Sequence, residues 1–143
     1  MINDIIDGIA VKLHQAFGSE YTLYKEDIPQ GFKEPCFSIL HLQSDNTGKL
    51  PVRYLRHNAF DIHFFPKNTN EKKSEMYRIG ECLFLALEYI YVLDNLVRGN
   101  KMRYEIVDGV LHFFVNYDVY VKKQTDEEEI YMQTLNSKLT VEE

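Results

Sequence analysis

Tryptophan is absent from this 143-residue chain, cysteine occurs twice, and there is no cationic excess. Cys36 and Cys82 each lack a second cysteine nearby, so neither a zinc knuckle nor a redox pair is encoded. Both are expected to be small buried hydrophobes in a reducing compartment. Sixteen Lys and Arg against 22 Asp and Glu leave a formal charge of −6. That balance argues against a general nucleic-acid binder, which needs clustered cations to neutralise phosphate. The apolar runs are a few residues long, far short of the ~20 that cross a bilayer, and mean hydropathy is −0.34. The opening Met1-Ile2-Asn3-Asp4 has neither a basic segment nor an apolar one, so no secretory signal is expected and synthesis and folding are placed in the cytoplasm. The glycine loops GxGxxG and GxxxxGK[ST], the esterase elbow GxSxG and the metal spacings HxxxH, HExxH and CxxC are all missing.

What is present suits one soluble domain: 45% hydrophobic and 27% charged residues, in a chain long enough to bury about 68% of its unfolded surface without staples. Residues 2–17 carry Ile2, Ile5, Ile6, Ile9, Leu13, Ala16 and Phe17 at helical spacing, with Gly18 as a stop. A short strand is expected over 20–24, an irregular stretch over 25–35 and a strand over 36–43 with apolar residues on both faces. Residues 44–51 form a polar, proline-bounded run and predict a projecting loop. A long strand over 52–65 follows, apolar in its second half and polar around Arg53 and Arg56, which suggests that this end reaches past the core.

Asn68 and Glu71 have capping-box spacing, and Met76, Ile79, Leu83, Leu87 and Ile90 then continue a helical stripe toward a polar exit at Asp94-Asn95. Gly80 inside that helix costs about 1 kcal/mol relative to Ala, which points to close approach of another backbone. Strands over 102–107 and 110–122 flank Asp108-Gly109, the dipeptide of a tight hairpin, and the second should be the longest in the sheet. A charged link over 123–129 and a last strand over 130–139 complete the chain. The order predicts an α+β fold: a mixed, mainly antiparallel sheet of about four to five strands with two main helices packed on it.

Chemistry is sparsely signalled. His41, His63 and His112 each fall in strands and would build a three-histidine zinc site if those strands paired on one face, but scattered histidines favour ordinary sheet residues. Asp126, Glu127, Glu128 and Glu129 lack the glycine and spaced oxygens of a calcium loop and suit a solvated turn. No catalytic residue, cofactor or metal is expected. Ten Tyr and nine Phe exceed what a core of this size needs. Tyr54, Tyr77, Tyr89, Tyr91, Tyr117, Tyr120 and Tyr131 are spread over several elements, and surplus tyrosine favours a subunit of an assembly.

The opening Met1-Ile2-Asn3-Asp4-Ile5-Ile6-Asp7-Gly8-Ile9, the block Glu34-Pro35-Cys36-Phe37, the strand from Arg53-Tyr54 to Phe60-Asp61-Ile62-His63-Phe64-Phe65-Pro66, and Asp108-Gly109-Val110-Leu111-His112-Phe113-Phe114-Val115 resemble a family of prophage proteins from Gram-positive bacteria. That family is similar to the tail terminator, or tail completion, proteins of long-tailed phages, and the likeness spans nearly the whole chain. It implies a non-enzymatic virion assembly protein, built in the host cytoplasm and located in the tail. Such a subunit would form a ring, six-fold in expectation, that stops the tail tube and meets the head-completion proteins. DNA would pass the lumen without specific binding, since repeated copies of a chain of charge −6 offer phosphate few cations. The alternatives are another head–tail connector or tube-like subunit, or a ligand-binding α+β domain with its pocket between the second helix and the sheet. A ring needs one patch to meet a different patch on the next copy. The candidate contact residues are Arg53, Tyr54 and Arg56 on the long strand and Asp126, Glu127, Glu128 and Glu129 in the charged link.

Overall fold

The computed structural model describes residues 1–25, 27–48, 52–123 and 130–132. The chain runs α1 (Ile2–Phe17), β1 (Thr22–Tyr24), β2 (Cys36–Thr47), β3 (Arg53–Phe65), α2 (Lys72–Ala86), β4 (Tyr89–Val92), β5 (Asn95–Val107), β6 (Val110–Lys123) and β7 (Ile130–Met132). The strands lie in the order β1-β2-β3-β6-β5-β4, with β7 on the far end of β6. Among the described residues β1 and β2 run parallel and the other strand pairs are antiparallel. The α+β class, the two helices and the mainly antiparallel sheet are as expected, and β6, at 14 residues, is the longest strand. The sheet is wider than expected, because β4 lies in a segment whose spacing reads as helix.

Both helices cover one face of the sheet. Alternation places Phe60, Ile62 and Phe64 of β3 on that face, and the β3–β6 register sets them against Val115, Phe113 and Leu111. Ile5, Ile9 and Leu13 of α1 and Met76, Ile79 and Leu83 of α2 close over them, all essentially buried. The Phe17 ring packs tilted against Phe37 at 5.0 Å and Phe84 meets Phe113 edge-on at 5.3 Å. The opposite face carries Cys36, Ser38, Asp61, His63, His112 and Phe114, and no helix among the described residues lies over it. There the Phe32 ring of the irregular stretch packs 4.9 Å from Phe65.

Four local expectations are corrected. The second helix stops at Ala86, with Leu87 as its cap, and Tyr89–Val92 turns back as a strand. In an exposed–buried alternation Ile90 and Val92 enter the core, so the apolar spacing that extends the helical stripe is also satisfied by a strand. The turn into β5 places Leu93 and Asp94 at φ 50° and 70°, an arrangement that no glycine advertises. At the front of α2 the cap is Glu71, without a side-chain bond, and Glu75 rather than Glu71 reaches back to accept from the Lys67 amide at 3.3 Å. Gly80 is approached by a side chain instead of a backbone: a β-carbon there would meet the Tyr104 ring at 2.8 Å. Cys36 is buried but Cys82 is exposed on α2.

Burial, with Glu34 adding to it, raises the Cys36 thiol to about 11. The native chain should therefore give one equivalent to a thiol reagent at pH 8, from Cys82, and a second only after denaturation. Two equivalents from the native protein would contradict this placement. Gly8 on α1 lies under the Tyr91 carbonyl, where a β-carbon would collide with backbone. Gly8→Ala should destabilise by about 1–3 kcal/mol in urea titration, even though alanine is the better helix former.

Candidate functional site

The polar run 44–51 is a strand through Thr47, because its side chains bond across to β3. Ser44 donates to Asn58 Oδ1 at 2.7 Å, Arg56 Nε donates to Asn46 Oδ1 at 2.7 Å, and Thr47 Oγ1 lies 2.8 Å from His57 Nε2. These pairs replace the apolar contacts that hold the rest of the sheet. A register shift between His41 and Gln43 marks where β2 leaves the core, and residues 41–48 are exposed. The β2–β3 hairpin is thus a polar extension standing on an apolar base.

Its root is a buried polar join. Asn58, fully buried, accepts from Ser44 and donates to the Tyr117 carbonyl at 3.1 Å, while the Tyr117 hydroxyl donates to the Leu87 carbonyl at 2.6 Å. Together they tie the hairpin through β6 to the end of α2. On the other face His57 Nδ1 lies 3.0 Å from Asp118 Oδ1, and Asn100 donates to Asp118 Oδ2 at 3.1 Å, which joins β3, β6 and β5.

Arg53, Tyr54 and Arg56 lie at the far end of β3, all half-buried, but they do not form one patch. Alternation puts Tyr54 and Arg56 on the face that carries Val121 and Val119, and Arg53 on the reverse. The Arg56 guanidinium lies 5.7 Å from the Tyr54 ring, and that of Arg53 lies 5.2 Å from the Tyr120 ring. Each cation lies over an aromatic ring, one per face. Asp126, Glu127, Glu128 and Glu129 lie outside the described residues.

A second surface gathers two of the surplus tyrosines, Tyr89 and Tyr91, on a hairpin that the helical spacing concealed. At the other edge of the sheet the β4–β5 hairpin exposes Tyr89, Tyr91, Leu93 and Leu96, flanked by Leu85, which is 80% exposed, on α2. Between this hairpin and α1 runs an open groove of about 300 Å³ lined by Gly8, Val11, Lys12, Tyr91 and Leu93. The signal that could have found it is the tyrosine pair two residues apart, which faces one way only in a strand. The interface between α2 and the sheet, by contrast, is filled by Met76, Ile79, Leu83 and Tyr104.

Of the three strand histidines, the structure joins two. His63 and His112 face each other across β3 and β6, with ring centroids 4.3 Å apart, whereas His41 lies on the helix-covered face against Phe60. Asp61 takes the third place: its Oδ2 lies 2.9 Å from His63 Nε2 and 3.1 Å from His112 Nδ1.

The features at the two ends of the sheet are exposed aromatics and ring-stacked cations, suited to protein contacts. A family model described as "Phage tail terminator protein" matches residues 4–129. The chain belongs to the phage tail terminator family. No curated protein matches it. Membership gives the tail terminator a structural role in the phage tail, in association with other tail components. Among its described residues no helix is long and apolar enough to cross a membrane.

The Tyr117 tie is testable in this terminator. Burial holds its hydroxyl protonated well above the ordinary value of 10.0. An unfolded tyrosine ionises near pH 10 and the folded one does not, so the stability that Tyr117 contributes is complete below pH 10 and is lost as pH rises above it. Tyr117→Phe leaves the Leu87 carbonyl unbonded and should cost about 1–3 kcal/mol at pH 7. Its unfolding midpoint should also fall less steeply than the wild type's between pH 10 and 11.

Proposed function

We propose that this terminator works as a single domain that assembles into a ring of about six copies on the end of the tail tube, where it stops tube growth and presents a surface to the head-completion proteins. The family match over residues 4–129 carries this reading. Two physical features support it. The sheet has two different ends, a polar hairpin bearing Arg53, Tyr54 and Arg56 and an apolar β4 edge bearing Tyr89 and Tyr91. A ring requires such unlike patches, because the surface given to one neighbour differs from the surface received from the other. Exposed tyrosines and cation-stacked rings also supply large, rigid contact area at little entropic cost.

In this reading assembly takes place in the host cytoplasm and the chain ends in the virion tail. The formal charge of −6 per copy favours a lumen through which DNA slides without being held. Arg53 and Arg56 act as contact residues on opposite faces, so one meets the tube and the other a neighbouring copy; the acidic run 126–129 is assigned to the same interfaces.

Arg53→Glu and Arg56→Glu should each weaken their contact about tenfold or more, since each reverses a charge held over an aromatic. Together they should release length control, giving tubes of scattered length by electron microscopy while the circular dichroism of the isolated chain stays native. A folded double variant that still yields tails of uniform length would remove these arginines from the contact. Tubes whose length ignores the wild-type protein would remove the terminator ring itself and favour another connector role.

A further inference from the structure

We infer that Asp61, His63 and His112 form a site for a divalent transition-metal ion of the zinc type on the open face of the sheet. Strand geometry assembles it. Asp61 and His63, two residues apart on β3, point to the same side, and the β3–β6 register sets His112 directly opposite His63. Among the described residues these three gather their donor atoms within 4.8 Å of one another. The two imidazole nitrogens converge on one carboxylate oxygen at 2.9 and 3.1 Å. Ligands of a tetrahedral zinc at about 2.0–2.1 Å are separated by roughly 3.3 Å, so an ion would enter with small side-chain rotations.

A second observation points to a missing partner. The Asp61 side chain is only 9% exposed, yet its Oδ1 is buried without a hydrogen-bond partner. A carboxylate buried so deeply, with one oxygen unbonded, carries a desolvation cost that a cation would offset. The donor set, two imidazoles and one carboxylate, suits zinc and its first-row neighbours rather than calcium or magnesium, which take oxygen ligands. His63 and His112 keep 20% and 22% of their side-chain surface, enough for access from the open face. Three protein ligands leave a fourth position for water or for a group from a docked partner.

The surrounding charges are consistent with a cation. Glu105 stands opposite His112 on β5, and Arg103 is engaged by Glu105 at 3.2 Å and lies over the Phe114 ring at 4.1 Å. Bound at this point, the ion would clamp β3 to β6 in the middle of the sheet.

The test uses untagged full-length protein stripped with chelator and titrated with zinc chloride by calorimetry. We expect saturable binding at one ion per chain, weakened about 100-fold or more in Asp61→Asn and in His63→Gln/His112→Gln, and unchanged in His41→Gln and His57→Gln. Absence of saturable binding to the wild type, or binding that survives loss of both His63 and His112, would overturn the site. If the variants do not fold, imidazole nitrogen resonances of the wild type decide. Zinc-dependent shifts confined to His63 and His112 support the assignment, and shifts at His14, His41 or His57 alone refute it. This readout is independent of tail capping, so the metal site and the terminator ring stand or fall separately.

Discussion

The antiparallel pairing of β3 with β6 is the constraint from which the rest of the molecule follows. It runs unbroken from Arg53 opposite Lys122 to Phe64 opposite Leu111. Because side chains alternate with a period of two, this single register decides three things together. It sets Phe60, Ile62 and Phe64 against Val115, Phe113 and Leu111 beneath the helices. It places Asn58 against Tyr117 at the root of the hairpin. It brings His63 opposite His112 on the reverse face. A slip of one residue would move the aromatic core to the open side and bury Asp61 and the histidines under α1 and α2. The strength of the hydrophobic alternation in both strands, roughly 1.5–3 kcal/mol per large apolar side chain buried, makes such a slip prohibitive.

Away from the core β3 continues into a hairpin with β2 that is held by polar chemistry. Beyond Asn58 the β6 side keeps Val119 and Val121 buried, with Tyr54 packed against them, while β2 is held to β3 by cross-strand bonds among Ser44, Asn46, Thr47, Arg56 and His57. Individually these contribute about a kilocalorie per mole or less, so the hairpin depends on its anchored base. The Asn58–Tyr117–Leu87 chain is that anchor, and its cost of burial is met because each donor has an acceptor. The result is an extension whose described residues carry polar and aromatic groups at the surface, anchored on a buried polar join.

The part of the fold that local pattern revealed is the part governed by local rules. The α1 stripe, the Asp108-Gly109 hairpin and the alternation of β6 each follow from one periodicity or one dipeptide, and the resemblance on those blocks led to the family. The exposed β4–β5 hairpin was concealed because Leu83, Leu87 and Ile90 satisfy helical spacing while Ile90 and Val92 also satisfy a strand. The turn that separates the two readings uses Leu93 at positive φ, for which sequence carries no marker. In the same way 44–47 is polar enough to read as a loop, and only its partners on β3 hold it extended.

The amino-acid sequence by itself determined the class, the helices, the central strands and the tail terminator kinship, since periodicity, turn residues and blocks of similarity are properties of contiguous chain. Tertiary structure decided what distant segments share. It put Arg53 and Arg56 on opposite faces, exposed Cys82, closed Tyr104 over Gly80 and replaced His41 by Asp61 beside His63 and His112. The physical reason is register: whether residues some 50 positions apart meet depends on how two strands align, and alignment is an outcome of packing the whole core.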